Sequence, residues 1–203
     1  LFFLLYLSFK YTYILIISLI LISLLSWIEF KNLISKIIKI KNFRSRLLKL
    51  TILGSSLIYL TMFSTIVFTG VSYEVYKLKI LFLICVCICS DISGLVFGKI
   101  FKGKKLTRIS PNKTISGSIG SYILSLLLIP IFYSLFFDTF RNPIDMIILV
   151  VIVSSACQMG DLFISFLKRK AKVKDTGDLL PGHGGVLDRI DGIIFAIPIG
   201  LIF

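Results

Sequence analysis

The chain has 203 residues, of which 57% are apolar, and it carries a formal net charge of +13. So much apolar surface cannot be covered by the few polar groups of a soluble domain, so the composition excludes one and points to a membrane. Spans of about 20 residues use up most of the length, which leaves only helix ends and short loops for any chemistry.

Residues 1–9 read as the remnant of a span that is otherwise missing, since the first residue is Leu rather than Met. Apolar runs follow at 13–28, 50–71, 80–98, 115–137 and 144–164, with a last one at about 186–203. Each approaches or exceeds the length that crosses a bilayer, and a cleaved signal peptide would account for only one of them. The predicted fold is therefore all-α: a polytopic integral membrane protein of about six or seven transmembrane helices joined by short loops. Residues 1–203 are expected to form a single transmembrane catalytic domain.

Basic residues gather in three of the loops: Lys31 to Lys49, Lys99 to Lys113, and Lys168 to Lys174 with Arg189 beyond. The intervening loops, at 73–79 and 138–145, are short and nearly balanced. This alternation is what the positive-inside rule asks of consecutive crossings, and it puts the three basic loops on the cytoplasmic side. Attraction to anionic headgroups explains the lysines as well. The cysteines offer little: Cys85 and Cys89 share a helical face, Cys87 points elsewhere, and Cys157 lies in another span. They are expected to be small apolar helix residues, with neither a metal site nor a disulfide framework among them.

The acidic residues are less easily explained. Asp91 lies well inside the 80–98 run, Asp161 near the end of the 144–164 run, and Asp188 and Asp191 where the last run begins. A carboxylate at membrane depth is costly unless it is paired, metal-bound or facing water. Asp188 and Asp191, three residues apart, share a helix face, and with Asp161 they could supply the hard oxygen ligands that suit Mg²⁺ beside substrate phosphates. Ion pairing of the same aspartates with Lys168, Arg169 or Arg189 explains them equally well at this stage. Lys168, Arg169, Lys170, Lys172 and Lys174 form a cationic rim next to them, and Pro181-Gly182-His183-Gly184-Gly185 supplies a glycine turn at a helix start. Backbone N–H groups in such a turn can point at phosphate oxygens, with the helix dipole adding to the attraction. Acidic ligands, basic side chains and a glycine turn together suit phosphoryl-type chemistry. His183, the single histidine, can bond a phosphate or orient a carboxylate and is assigned no acid–base work.

These residues also carry a resemblance. Ser165-Phe166-Leu167-Lys168-Arg169, Lys174-Asp175, Gly177 and Leu180-Pro181-Gly182-His183-Gly184-Gly185-Val186-Leu187-Asp188-Arg189-Ile190-Asp191 resembles, without departure, the signature of the phosphatidate cytidylyltransferase (CDP-diglyceride synthetase) family. Ser90-Asp91, Gly98-Lys99, Lys104-Lys105-Leu106, Ile109-Ser110-Pro111-Asn112-Lys113-Thr114 and Ser116-Gly117 are similar to the family's other cytoplasmic loop. Gln158-Met159-Gly160-Asp161-Leu162 is similar to the stretch leading into the signature. The motif-bearing region is 90–191, while residues 1–49 match only in hydropathy. Two departures stand out: Ser116 where the family usually has Glu, and Gly94-Leu95 where it commonly has Ala-Tyr.

The resemblance implies an enzyme of a bacterial inner membrane, facing the cytoplasm, that makes CDP-diacylglycerol and pyrophosphate from CTP and phosphatidic acid with Mg²⁺. A second cation and a homodimer are left open, membrane lipids are expected partners, and no nucleic-acid partner is expected. By position, Asp161 and Asp188 resemble the metal-site carboxylates, and Lys168, Arg169 and Asp191 join them as expected catalytic residues. Lys174, His183, Gly184, Gly185, Arg189, Ser110, Lys113, Thr114 and Asp91 are the expected substrate-binding residues. Two rival readings are a CTP-dependent polyprenol or phytol kinase and an ion-coupled transporter, whose binding residues would lie at the bilayer midplane rather than at span ends.

Overall fold

The structure is a computed structural model, and it describes residues 10–107, 110, 113–136, 142–178 and 184–203. The remnant expected at residues 1–9 lies outside the described residues, as do residues 138–141 of the 138–145 loop, residues 108, 109, 111 and 112 of the 99–113 loop, and Pro181, Gly182 and His183. The helices are α1 (Thr12–Ile37), α2 (Phe43–Ser72), α3 (Glu74–Phe101), α4 (Ile115–Leu126), α5 (Ile129–Phe136), α6 (Pro143–Lys170) and α7 (Leu187–Ile202). Among the described residues no strand forms, only an isolated bridge between Lys105 and Thr114. Five helical segments are long and apolar enough to cross a membrane, and the chain is a polytopic all-α membrane protein as its hydropathy predicts.

The helices differ from the predicted runs at their ends. α1 continues nine residues beyond the expected end at Ile28 and takes in Glu29, Lys31 and Lys36. Charge ends a hydrophobic run without ending a helix, and no Gly or Pro interrupts 12–37. The loop predicted at 31–49 is therefore only residues 38–42, and the one at 73–79 is the single extended residue Tyr73. The run 115–137, predicted as one helix, breaks at residues 127–128 just before Pro130, which fits the first turn of a new helix because it needs no N–H there. α6 runs through Lys168, Arg169 and Lys170, which were expected in a loop. It ends in a Schellman turn: Val173 N–H donates to Lys168 C=O at 3.0 Å, Lys172 N–H to Arg169 C=O at 3.1 Å, and Lys172 takes φ +56°. α7, with 16 residues, is shorter than the predicted span and is not among the five candidates.

The chain divides into two compact units. The first comprises residues 1–77 and 166–190. Within it α1 packs on α2. Ser23 Oγ lies 2.6 Å from Ser64 Oγ, the Trp27 indole donates to Leu53 C=O at 3.3 Å, and Leu33, Ile34, Leu60, Phe63 and Val67 are buried.

The second unit comprises residues 78–165 and 191–203. Its interior is apolar, with Ile80, Phe82, Leu83, Val86, Met146, Leu149, Val150 and Val153 almost wholly buried. Small polar residues join its helices: Ser90 Oγ and Ser154 Oγ are 3.0 Å apart, Ser121 Oγ donates to Ser90 C=O at 2.6 Å, and Tyr122 and Ser155 hydroxyls lie 2.9 Å apart. This is membrane packing logic, in which small residues let backbones approach and hydroxyls bond between helices where lipid offers no partner.

Candidate functional site

In the first unit the last turn of α6 and the first turn of α7 bring Lys168 and Asp188 together. Lys168 Nζ is 2.6 Å from Asp188 Oδ1, and the two side chains are 14% and 10% exposed. Of the two readings left open by the sequence, ion pairing is what the structure shows for Asp188, with Lys168 as the partner. The other carboxylate oxygen, Oδ2, accepts from Thr176 N–H at 2.8 Å, Thr176 Oγ1 at 2.9 Å and Gly185 N–H at 3.1 Å. Asp188 also sits at the positive end of the α7 dipole, where a negative charge is favoured. The carboxylate is thus held by an ammonium, two amides and a hydroxyl.

The glycines of the signature have specific duties here. Gly184 takes φ +78°, a conformation that costs glycine nothing and strains other residues. A Cβ on Gly185 would collide with Thr176 Oγ1 and a Glu29 carboxylate oxygen. The Gly185 N–H, expected to face a phosphate, is turned to Asp188 instead. Arg169, Lys174 and Arg189 are exposed, while His183 lies outside the described residues.

Glu29 is the residue that sequence reasoning missed. It is 2% exposed, and its carboxylate accepts from Thr176 Oγ1 at 2.7 Å, Val186 N–H at 2.8 Å and Leu187 N–H at 2.9 Å. The available signal was a carboxylate at the end of an apolar run. With the run read as 13–28 and the loop from Lys31, Glu29 falls between the two and is not singled out.

In the second unit a cavity of about 230 Å³ is lined by Asp91, Asp161, Ser110, Lys113, Thr114 and Gln158, among others. Asp161 forms an ion pair with Lys113, the two side chains being 28% and 25% exposed, and it accepts from Ser165 Oγ at 3.3 Å. Asp91, reached by Cys157 Sγ at 3.6 Å, is open to the cavity. Lys113 is held by its backbone, since Leu106 N–H donates to its carbonyl at 2.8 Å and its own N–H donates to Ser110 C=O at 3.1 Å. Thr114 caps α4, accepting from Gly117 N–H at 3.1 Å. Ser116 accepts from Gly103 N–H at 3.3 Å, so the departure from the family Glu has a local structural role.

Asp191 is 9% exposed and its Oδ1 accepts from Gly192 N–H at 2.8 Å. Among the described residues no three His, Cys, Asp or Glu side chains converge as metal ligands. Asp161 and Asp91 nonetheless fit a hard divalent cation, which needs only one or two carboxylates when phosphates supply the rest. Asp161 and Asp188 each already meet an ammonium, but Asp161 otherwise accepts only from Ser165 Oγ, whereas Asp188 also accepts from two amides and a hydroxyl and so has more donors to give up to a cation.

The sequence model of a family described as the cytidylyltransferase family matches residues 1–203. A phosphatidate cytidylyltransferase of Rickettsia typhi is 41% identical over 135 residues, covering 63% of this chain and 59% of that protein. One from Bacillus subtilis (strain 168) is 44% identical over 132 residues, covering 63% of this chain and 48% of that protein. One from Rickettsia prowazekii is 40% identical over 143 residues, covering 67% of this chain and 62% of that protein. The chain spans 48–62% of the length of these three relatives.

Proposed function

The chain belongs to the cytidylyltransferase family, and from that premise we propose that it transfers CMP from CTP to phosphatidic acid, forming CDP-diacylglycerol and pyrophosphate. The observation that carries the reading is the second unit's cavity, where Asp91, Asp161 and Lys113 bring both signs of charge into a helical bundle with an apolar interior. Apolar bundles hold such groups only at a cost, which ligand chemistry justifies.

An ionised oxygen of the lipid phosphate attacks the α-phosphorus of CTP. The bond from that phosphorus to the bridging oxygen breaks, and pyrophosphate leaves with the electron pair. A phosphate monoester is already ionised near neutral pH, so no general base is needed. The task is to align two anions and neutralise their charge. Mg²⁺, when bound, supplies charge neutralisation on the triphosphate, and Asp161 with Asp91 would hold it. Lys113 and Ser110 bind phosphate oxygens at the cavity, and Thr114 fixes the helix start beside them. In the signature Lys168, Arg169, Lys174 and Arg189 bind phosphate oxygens, while Asp188 keeps Lys168 in place. The lipid enters from the cytoplasmic leaflet and CTP from the cytoplasm, consistent with the side on which the basic loops are expected.

Purified protein given phosphatidate, Mg²⁺ and CTP labelled at the α-phosphate should yield a labelled lipid. Transfer of label from the γ-phosphate alone would reassign the protein as a lipid kinase. A second expected result concerns Lys113. Lys113→Met should slow turnover about a hundredfold by removing a cation from developing phosphate charge, whereas Lys113→Arg should retain most of it. Equal rates for wild type and Lys113→Met would exclude Lys113 from phosphate handling.

A further inference from the structure

We propose that Glu29 is a positioning residue. Its buried carboxylate on α1 fixes Val186 and the start of α7, so that Asp188 holds Lys168. The first N–H groups of any helix lack intrahelical partners and are normally capped by a side chain close by in sequence. At α7 that task falls to a residue 157 and 158 positions away: Glu29 takes the Val186 and Leu187 N–H groups at 2.8 and 2.9 Å. The third donor to Glu29, the Thr176 hydroxyl at 2.7 Å, is also 2.9 Å from Asp188 Oδ2. One hydroxyl hydrogen serves two carboxylates, so the position of each depends on the other.

The close packing has the same design. The Glu29 side chain lies where a Cβ on Gly177 would meet it at 3.0 Å and where one on Gly185 would collide with it. Among the described residues the donors to Glu29 are Thr176, Val186 and Leu187. A carboxylate 2% exposed in an apolar helix is tolerated only because all of these donors reach it. In Glu29→Gln the amide NH₂ replaces one acceptor and faces an N–H or hydroxyl donor. Val186 and Leu187 must then shift, Asp188 loses donors from Thr176 and Gly185, and Lys168 is released.

The consequence for turnover rests on the cytidylyl-transfer reading, whereas the consequence for Lys168 does not. The full chain in detergent micelles, as wild type, Glu29→Gln and Thr176→Val, is treated briefly with acetic anhydride, and each lysine is quantified by mass spectrometry. Both variants should raise Lys168 acetylation about tenfold, the scale of one lost hydrogen bond to a charged group, with exposed Lys174 unchanged. With CTP and phosphatidate, Glu29→Gln should also lower kcat. Unchanged Lys168 acetylation overturns the proposal, and so does a parallel rise at all lysines, which would mark general loosening. If Glu29→Gln does not insert, Thr176→Val carries the same expectation, because it cuts the link between the two carboxylates. Absence of cytidylyl transfer in the wild type would refute the functional reading, while the acetylation ratio would still decide the role of Glu29.

Discussion

Asp188→Asn is expected to reduce CTP-dependent pyrophosphate release by about a thousandfold or more while the protein remains inserted and folded. The two side chains have the same shape, and the difference is chemical. Asp188 offers acceptors on both oxygens, one to the Lys168 ammonium and the other to Thr176 and Gly185. Asn has one acceptor and one NH₂ group, so either orientation sets a donor against a donor. If the NH₂ faces Lys168, a cation whose side chain is 14% exposed loses its counter-charge. Breaking a buried pair from one side is more damaging than removing both partners, because the remaining charge is uncompensated. Pyrophosphate release under saturating CTP measures the loss. Emission of Trp27, the single tryptophan, whose indole bonds α2 at Leu53, reports whether the fold persists. Wild-type turnover in this variant would remove Asp188 and its hold on Lys168 from the mechanism.

The second large effect is on stability. Gly160→Ala should destabilise the protein by about 3 kcal/mol, the upper range for forcing atoms into a filled interior. A Cβ at this position of α6 would collide with the Asp191 backbone carbonyl, and it would lie 2.8 Å from the Phe195 ring and 3.1 Å from Gly192 Cα. A flexible side chain could turn aside, but two of these neighbours are helix backbone. The helices would have to move apart, losing contacts along their length. Gly54→Ala in α2 is the matched control, because nothing lies within 4 Å of a Cβ there. Alanine is also the better helix former, so that change should be neutral or stabilising. Thermal unfolding in detergent would separate the two, and equal midpoints would contradict the close approach of α7 to Gly160.

Much of the architecture was legible from local chemistry. Apolar runs longer than a bilayer crossing must become helices in lipid, because the backbone has no other way to satisfy its hydrogen bonds there. Helix ends were read less well. The charges after Ile28 looked like the end of α1, yet the helix goes on to Ile37 because charged residues do not break the backbone ladder. Similarly, Lys168 and Arg169 looked like loop residues and are in the last turn of α6. The break between α4 and α5, by contrast, had a visible local cause in Pro130.

The same division runs through the site. The sequence by itself determined which residues could carry charge chemistry, since intramembrane aspartates and a dense signature stand out against an apolar chain whatever its fold. It also determined that the chain lives in a membrane, because composition settles what water can cover. Only the tertiary structure decided which charges meet: Lys168 with Asp188, Lys113 with Asp161. The sequence left Lys168, Arg169 and Arg189 equally eligible, because ion pairing depends on distances of a few ångströms between side chains on different helices. Glu29 is the clearest case. It bonds a backbone amide 158 positions away, and no periodicity or spacing in one chain can express a contact that arises only when α1 is laid beside the start of α7.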